Sequence, residues 1–140
     1  MTLKLKLILI FLLPYFTVLA CDCRIAPGVN KAVYETESIF VGKVVSVTDD
    51  PESCYLGDCL GVYVQIEVQA CLKGINSSNV TLYTMKQTAS CGFPFEMGEG
   101  YLIYADSNGR ELSVSLCSRT KDYAEAKAEI AQVKKIMRKK

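Results

Sequence analysis

Histidine is missing from all 140 residues. With it go the usual general base at neutral pH and any Ser-His-Asp arrangement, because both depend on an imidazole that titrates near 7. Tyrosines and carboxylates are present, but they form no paired acid constellation, and no Gly-rich phosphate loop occurs. An enzyme is therefore not expected. Internal repeats and low-complexity segments are also lacking. Neither sign of charge dominates, the formal net charge being +1, so no nucleic-acid partner is expected. The longest apolar run, Leu7 to Leu19, falls short of the roughly twenty residues that a transmembrane span requires.

That run has a different meaning. Lys4 and Lys6 precede it, only Tyr15 and Thr17 interrupt it, and Val18-Leu19-Ala20 follows with small or modest side chains at the cleavage positions. These are the three parts of a signal peptide, assigned to residues 1–20, with one domain over residues 21–140. The expected location is secreted or extracellular, or the periplasm and cell envelope if the source is bacterial. Val18-Leu19-Ala20-Cys21 also resembles a bacterial lipobox, which would acylate Cys21, block its amine and provide a lipid anchor. Removing Lys4 and Lys6 leaves 14 basic against 15 acidic side chains. They are unevenly spread: residues 119–140 hold eight basic and three acidic groups, so a basic tail follows an acidic body.

Seven cysteines, at positions 21, 23, 54, 59, 71, 91 and 117, all follow the leader. Such density in a small exported domain points to disulfides, and the odd count leaves one thiol free, joined to a partner or modified.

Along the chain, Val29–Thr36 reads as a short helix with Val29, Ala32, Val33 and Thr36 on one side. Ser38–Thr48 is β-branched and apolar on both parities. It is expected to be covered on both faces or to bend around a closed sheet, with Gly42 allowing the bend. Asp49–Gly61 is a polar connection in which Cys54 and Cys59 are placed to staple a hairpin tip. Val62–Ala70 alternates cleanly, and Asn79–Lys86 continues with Val80, Leu82 and Thr84 on one face. Asn79-Val80-Thr81 matches the glycosylation acceptor pattern. Cys91-Gly92-Phe93-Pro94-Phe95 is a rigid loop, and Tyr101–Ala105 a strand. Asn108-Gly109 predicts a type I′ hairpin whose return strand faces Leu112, Val114 and Leu116 inward. Tyr123, Ala126, Ile130, Val133 and Met137 form the apolar stripe of a closing helix, with Thr120 or Asp122 as its cap. Arg119 is expected to pair with an acidic surface group. The predicted fold class is all-β: a small closed OB-like five-stranded barrel with a short N-terminal helix and a C-terminal packed helix. A β-sandwich is the alternative.

Five blocks occur in order. They are Cys21-Asp22-Cys23; Ser38-Ile39-Phe40-Val41-Gly42-Lys43-Val44; Cys71-Leu72-Lys73-Gly74; Ser90-Cys91-Gly92-Phe93 with Phe95, Gly98 and Tyr101-Leu102-Ile103-Tyr104-Ala105; and Leu116-Cys117-Ser118-Arg119-Thr120. Together they make the chain resemble the netrin-like domain of the tissue inhibitors of metalloproteinases, in its minimal single-domain form. The resemblance implies disulfides Cys21–Cys91 and Cys23–Cys117, with Cys54–Cys59 as a local extra pair and Cys71 left over. It further implies an inhibitory wedge of Cys21, Asp22 and Cys23. In that wedge the α-amine and carbonyl oxygen of Cys21 would chelate the catalytic zinc of an extracellular or periplasmic metalloprotease, without any intrinsic cofactor. A five-membered chelate on an open zinc position is chemically sound, and an α-amine of ordinary pKa about 7.7–8.0 gives up its proton to metal near neutrality. Asp22 departs from the Thr or Ser that family inhibitors carry next to the first cysteine. Two other classes stand beside this one. One is a non-inhibitory envelope or extracellular interaction protein, and the other a thiolate metal or redox site built from Cys21, Cys23, Cys54 and Cys59.

Overall fold

The structure, a computed structural model, describes residues 21–23 and 26–139; the leader assigned to residues 1–20 lies outside them. The first helix, α1, spans Val29–Glu35 and buries Ala32 and Val33, as the i, i+3, i+4 spacing requires. Lys73 finishes it: its Nζ donates to the carbonyls of Val33 and Thr36, supplying cationic donors to otherwise unpaired helix-end oxygens.

Strand β1, Ser38–Asp49, carries the fold. It pairs antiparallel with β4, Gly61–Lys73, on one side and with β6, Gly100–Ser107, on the other. Its register with β4 slips at Ile39/Phe40, Val41/Gly42 and Val44/Ser46, and such bulges bend and twist a strand. Gly42 sits at one of them. A Cβ there would lie 2.2 Å from Ile66 Cγ2 and 3.0 Å from the Glu67 carbonyl oxygen, so only glycine allows β1 to curl this closely over β4. The double parity of the sequence is thereby explained. Phe40 and Val44 point into the barrel with Val64, Ile66, Leu82 and Ile103, whereas Ile39 and Val41 point outward beneath the helices.

Strand β5, Asn79–Met85, follows β4 antiparallel, and β7, Leu112–Ser113, lies parallel to β5 and antiparallel to β6. The β1–β6 pairing closes the ring β1-β4-β5-β7-β6, a five-stranded barrel. A short β8, Lys121–Asp122, pairs antiparallel with the start of β6, and α2, Tyr123–Met137, covers the wall with α1. Leu102, Tyr104, Ile39, Ala32, Val33, Ala126, Ile130 and Val133 form this second apolar layer. Each fully buried aliphatic side chain contributes roughly 1.5–3 kcal/mol.

Between β1 and β4 a two-stranded tip rises from the barrel. Its strands β2, Cys54–Tyr55, and β3, Asp58–Cys59, are joined by the Cys54–Cys59 disulfide. Leu56 (φ 49°) and Gly57 (φ 91°) turn it, with the two left-handed residues that a type I′ loop needs.

Three local expectations require correction. The turn at Asn108-Gly109 is not type I′, since only Gly109 has positive φ (91°). Instead the Asn108 side-chain carbonyl accepts from the amides of Arg110 (2.9 Å) and Glu111 (3.0 Å), closing the turn through a side chain. Leu116 does not face inward. The return strand ends at Ser113, and the chain turns over Ser115–Ser118, leaving Leu116 exposed while Val114 stays buried. Neither Thr120 nor Asp122 caps α2 through its side chain. Thr120 Oγ1 is occupied with Tyr104, accepting from its amide at 3.0 Å and donating to its carbonyl at 3.3 Å.

Candidate functional site

Cys21, Asp22 and Cys23 belong to no helix or strand, so their position is fixed covalently rather than by backbone pairing. Cys21 bonds Cys91 with Cα atoms 5.1 Å apart, and Cys23 bonds Cys117 at 5.0 Å. The separations are 70 and 94 residues. Closing a loop of that length contributes roughly 4–5 kcal/mol for the first of the two bonds where loop entropy dominates, and less for the second, which then closes a much shorter ring.

The residues that receive these bonds are themselves held. Cys91 closes a 3₁₀ turn over Thr88–Ser90 in the left-handed region (φ 65°), and its carbonyl accepts from Leu116 N at 2.8 Å. Gly92 packs flat on the end of β5. A Cβ there would sit 1.9 Å from the Met85 carbonyl oxygen, which leaves room for no other residue. Phe93 N donates to the buried Thr84 hydroxyl at 2.9 Å, and the rings of Phe93 and Phe95, tilted against each other, each meet Tyr101 edge to face. Cys117 lies within the Ser115–Ser118 turn, and Ser115 bridges back to Gly92.

The two disulfides touch each other. Cys21 Sγ lies 3.9 Å from Cys23 Sγ and 3.7 Å from Cys117 Sγ. These sulfurs have no thiol proton, so the contact is van der Waals packing. Although the sulfurs of Cys21, Cys23 and Cys117 lie within 4.8 Å of one another, all are in disulfides and none is a thiolate ligand. Cys54 and Cys59 bond each other, which removes the four-thiolate site considered from sequence. Among the described residues Cys71 is the free thiol, and it is exposed. The Cys21 sulfur, the atom that acylation at a lipobox would use, is bonded to Cys91.

A third tether acts a few residues later. Arg119, two positions beyond Cys117, donates from Nη1 to the Pro27 carbonyl at 2.8 Å. The same guanidinium grips Glu129 through Nε at 2.9 Å and Nη2 at 2.8 Å. Its partner is thus not the surface acid expected from sequence but a carboxylate on the covered side of α2, only 8% exposed. Lys121 Nζ at 2.6 Å and the Tyr104 hydroxyl at 2.8 Å complete the cluster. Burial alone would raise the Glu129 carboxyl. The hydrogen bonds from Arg119, Lys121 and Tyr104 outweigh it and hold the group at about 2. Burial, and donation to Glu129, raise the Tyr104 hydroxyl above its usual range. This cluster locks α2, β6 and the leading segment together. Glu129 was not singled out in the sequence, where its signal was an acid set among Ala126, Ile130 and Val133 on one helix face.

The result is a double-clamped segment in which Cys21 is half-buried while Asp22 and Cys23 face solvent. No protein-family model and no curated protein matches the chain. The class defined by the molecule itself is a small closed five-stranded barrel with three disulfides, compatible with an OB-like fold of the netrin type. Among the described residues no helix is long and apolar enough to cross a membrane.

Proposed function

We propose that the chain is a secreted, inhibitor-like binding module, and that its processed amino terminus engages the catalytic zinc of a metalloprotease. The observation that carries this reading is the double clamp: Cys21 and Cys23, separated by one residue, are bonded to separate fixed loops, leaving Asp22 exposed between them. Cleavage after Ala20 would place a free α-amine on a residue whose backbone can hardly move. The amine nitrogen and carbonyl oxygen of Cys21 are one chelate ring apart, and a terminus ordered in advance loses little entropy on docking.

Asp22 narrows the partner. Beside a zinc protease's general-base glutamate its carboxylate would be buried against like charge, an unfavourable arrangement unless a cation faces it. The reading therefore favours a protease whose pocket next to the zinc is basic.

The test is to add one alanine before Cys21 and measure inhibition of a panel of zinc proteases. Loss of inhibition on extension, with unchanged thermal unfolding, is the expected result. Binding that persists unaltered would transfer the function to another surface, as in a non-inhibitory interaction protein. Asp22→Thr is expected to improve affinity for proteases with a neutral pocket by at least about tenfold, since the desolvation cost of an unpaired carboxylate exceeds 1.4 kcal/mol.

A further inference from the structure

The stapled tip between β1 and β4 holds apolar side chains out in water. Tyr55 is 77% exposed and Leu56 90%, and Leu56 does this from a left-handed backbone (φ 49°) that costs a branched residue about 1 kcal/mol or more. The tip is rigid: Cys54–Cys59 closes it, Gly61 N donates to Ser53 Oγ at 3.0 Å, and Asp50 Oδ1 accepts from Glu52 N at 3.0 Å. Glu52 and Asp58 flank the apolar pair, exposed and, among the described residues, in no salt bridge.

The opposite end of β4 presents the complementary surface. There Leu72 and Met137 line an open groove of ≈ 480 Å³ together with Cys71, Lys134 and Arg138. Lys134 and Arg138 form no salt bridge among the described residues. Apolar walls with a cationic rim match an apolar tip with an anionic rim. Because β4 runs from Gly61 beside the tip to Lys73 beside the groove, the two lie on the order of 35–40 Å apart at about 3.3 Å per residue. A molecule therefore cannot fill its own groove.

We propose that the groove formed by Leu72, Met137, Lys134 and Arg138 receives the Tyr55-Leu56 tip of a second copy of this chain. The contact is heterologous, using different surfaces on the two molecules, so it propagates head to tail into chains or rings rather than an isologous dimer. One tip in one groove buries less than the roughly 1,200 Å² of a stable interface, so the association is weak and reversible, and it strengthens as salt is lowered.

Sedimentation velocity on the purified protein tests this. The weight-average sedimentation coefficient is expected to rise with concentration up to about 1 mM at about 20 mM salt, and to return to the monomer value at about 500 mM. Leu56→Asp should weaken association at least about tenfold, as removal of a central anchor does. The double variants E52K/D58K and K134E/R138E should each stay monomeric while unfolding at the wild-type midpoint. An equimolar mixture of the two should associate again, because each tip then meets a groove of opposite charge. A monomer at every concentration in low salt would overturn the proposal, as would association that survives both charge reversals or a mixture that stays monomeric.

Discussion

Glu129 occupies a position on α2 that helical periodicity alone would give to an aliphatic residue. Its carboxylate is tolerated because three donors converge on it, so removing the charge strands Arg119 and Lys121 instead of relieving a burden. With the folded group at about 2 against an ordinary 4.5, its stabilising effect is complete above about pH 4.5 and is lost as pH falls towards 2. Glu129→Gln should therefore lower unfolding stability at pH 7 by about 3 kcal/mol. The gap to wild type should narrow steadily below pH 4.5, which urea titrations across that range would read. At Gly92 the obstacle is backbone: Gly92→Ala forces a methyl against the Met85 carbonyl and should cost about 3 kcal/mol, displacing Cys91 with it. Cys71, exposed and unpaired, should supply the one thiol that reacts with a disulfide reagent in the native protein, and Cys71→Ser should abolish that reaction.

Individual elements differ in how plainly the sequence announced them. The centre of β4 was legible as Val62–Ala70, because Val62, Val64 and Ile66 alternate with polar residues, although the strand runs on to Lys73 past the end of that alternation. The two-sided burial of β1 was legible through Gly42, a residue whose missing side chain is needed where the strand curls. Less visible were features fixed by distant partners. Leu116 has the right parity for the core, but the hydrogen bond from its amide to Cys91 turns it out of the sheet. Asn108-Gly109 carries a strong hairpin signature, yet the asparagine side chain closes that turn, and the pair of left-handed residues falls at Leu56-Gly57, a dipeptide with a weaker signal. For the candidate site, the clustered Cys21 and Cys23 were evident early. The Arg119–Glu129 lock was not, since nothing in a helical pattern marks which acid an arginine ten residues earlier will find. The disulfides grade by element as well. Replacing Cys54 and Cys59 by serine opens a loop with a separation of 5 residues and should cost about 2 kcal/mol, while leaving the barrel folded. The same change at Cys23 and Cys117 should cost more, about 3.5 kcal/mol in denaturant unfolding, because with Cys21–Cys91 intact the bond closes a ring of about 30 residues.

For the whole molecule, the Cys23–Cys117 bond sets how the protein carries a load. Tension applied between Cys21 and Lys139 passes from Cys23 straight across to Cys117, bypassing the barrel strands. Only the two residues before the crosslink and the 22 after it can be drawn out, roughly 80 Å of chain at about 3.4 Å per residue, against roughly 400 Å for the uncrosslinked polypeptide. In an optical trap the oxidised protein should therefore yield in one short step as α2 peels away, with the barrel still closed, and the long extension should emerge only after a reductant is added.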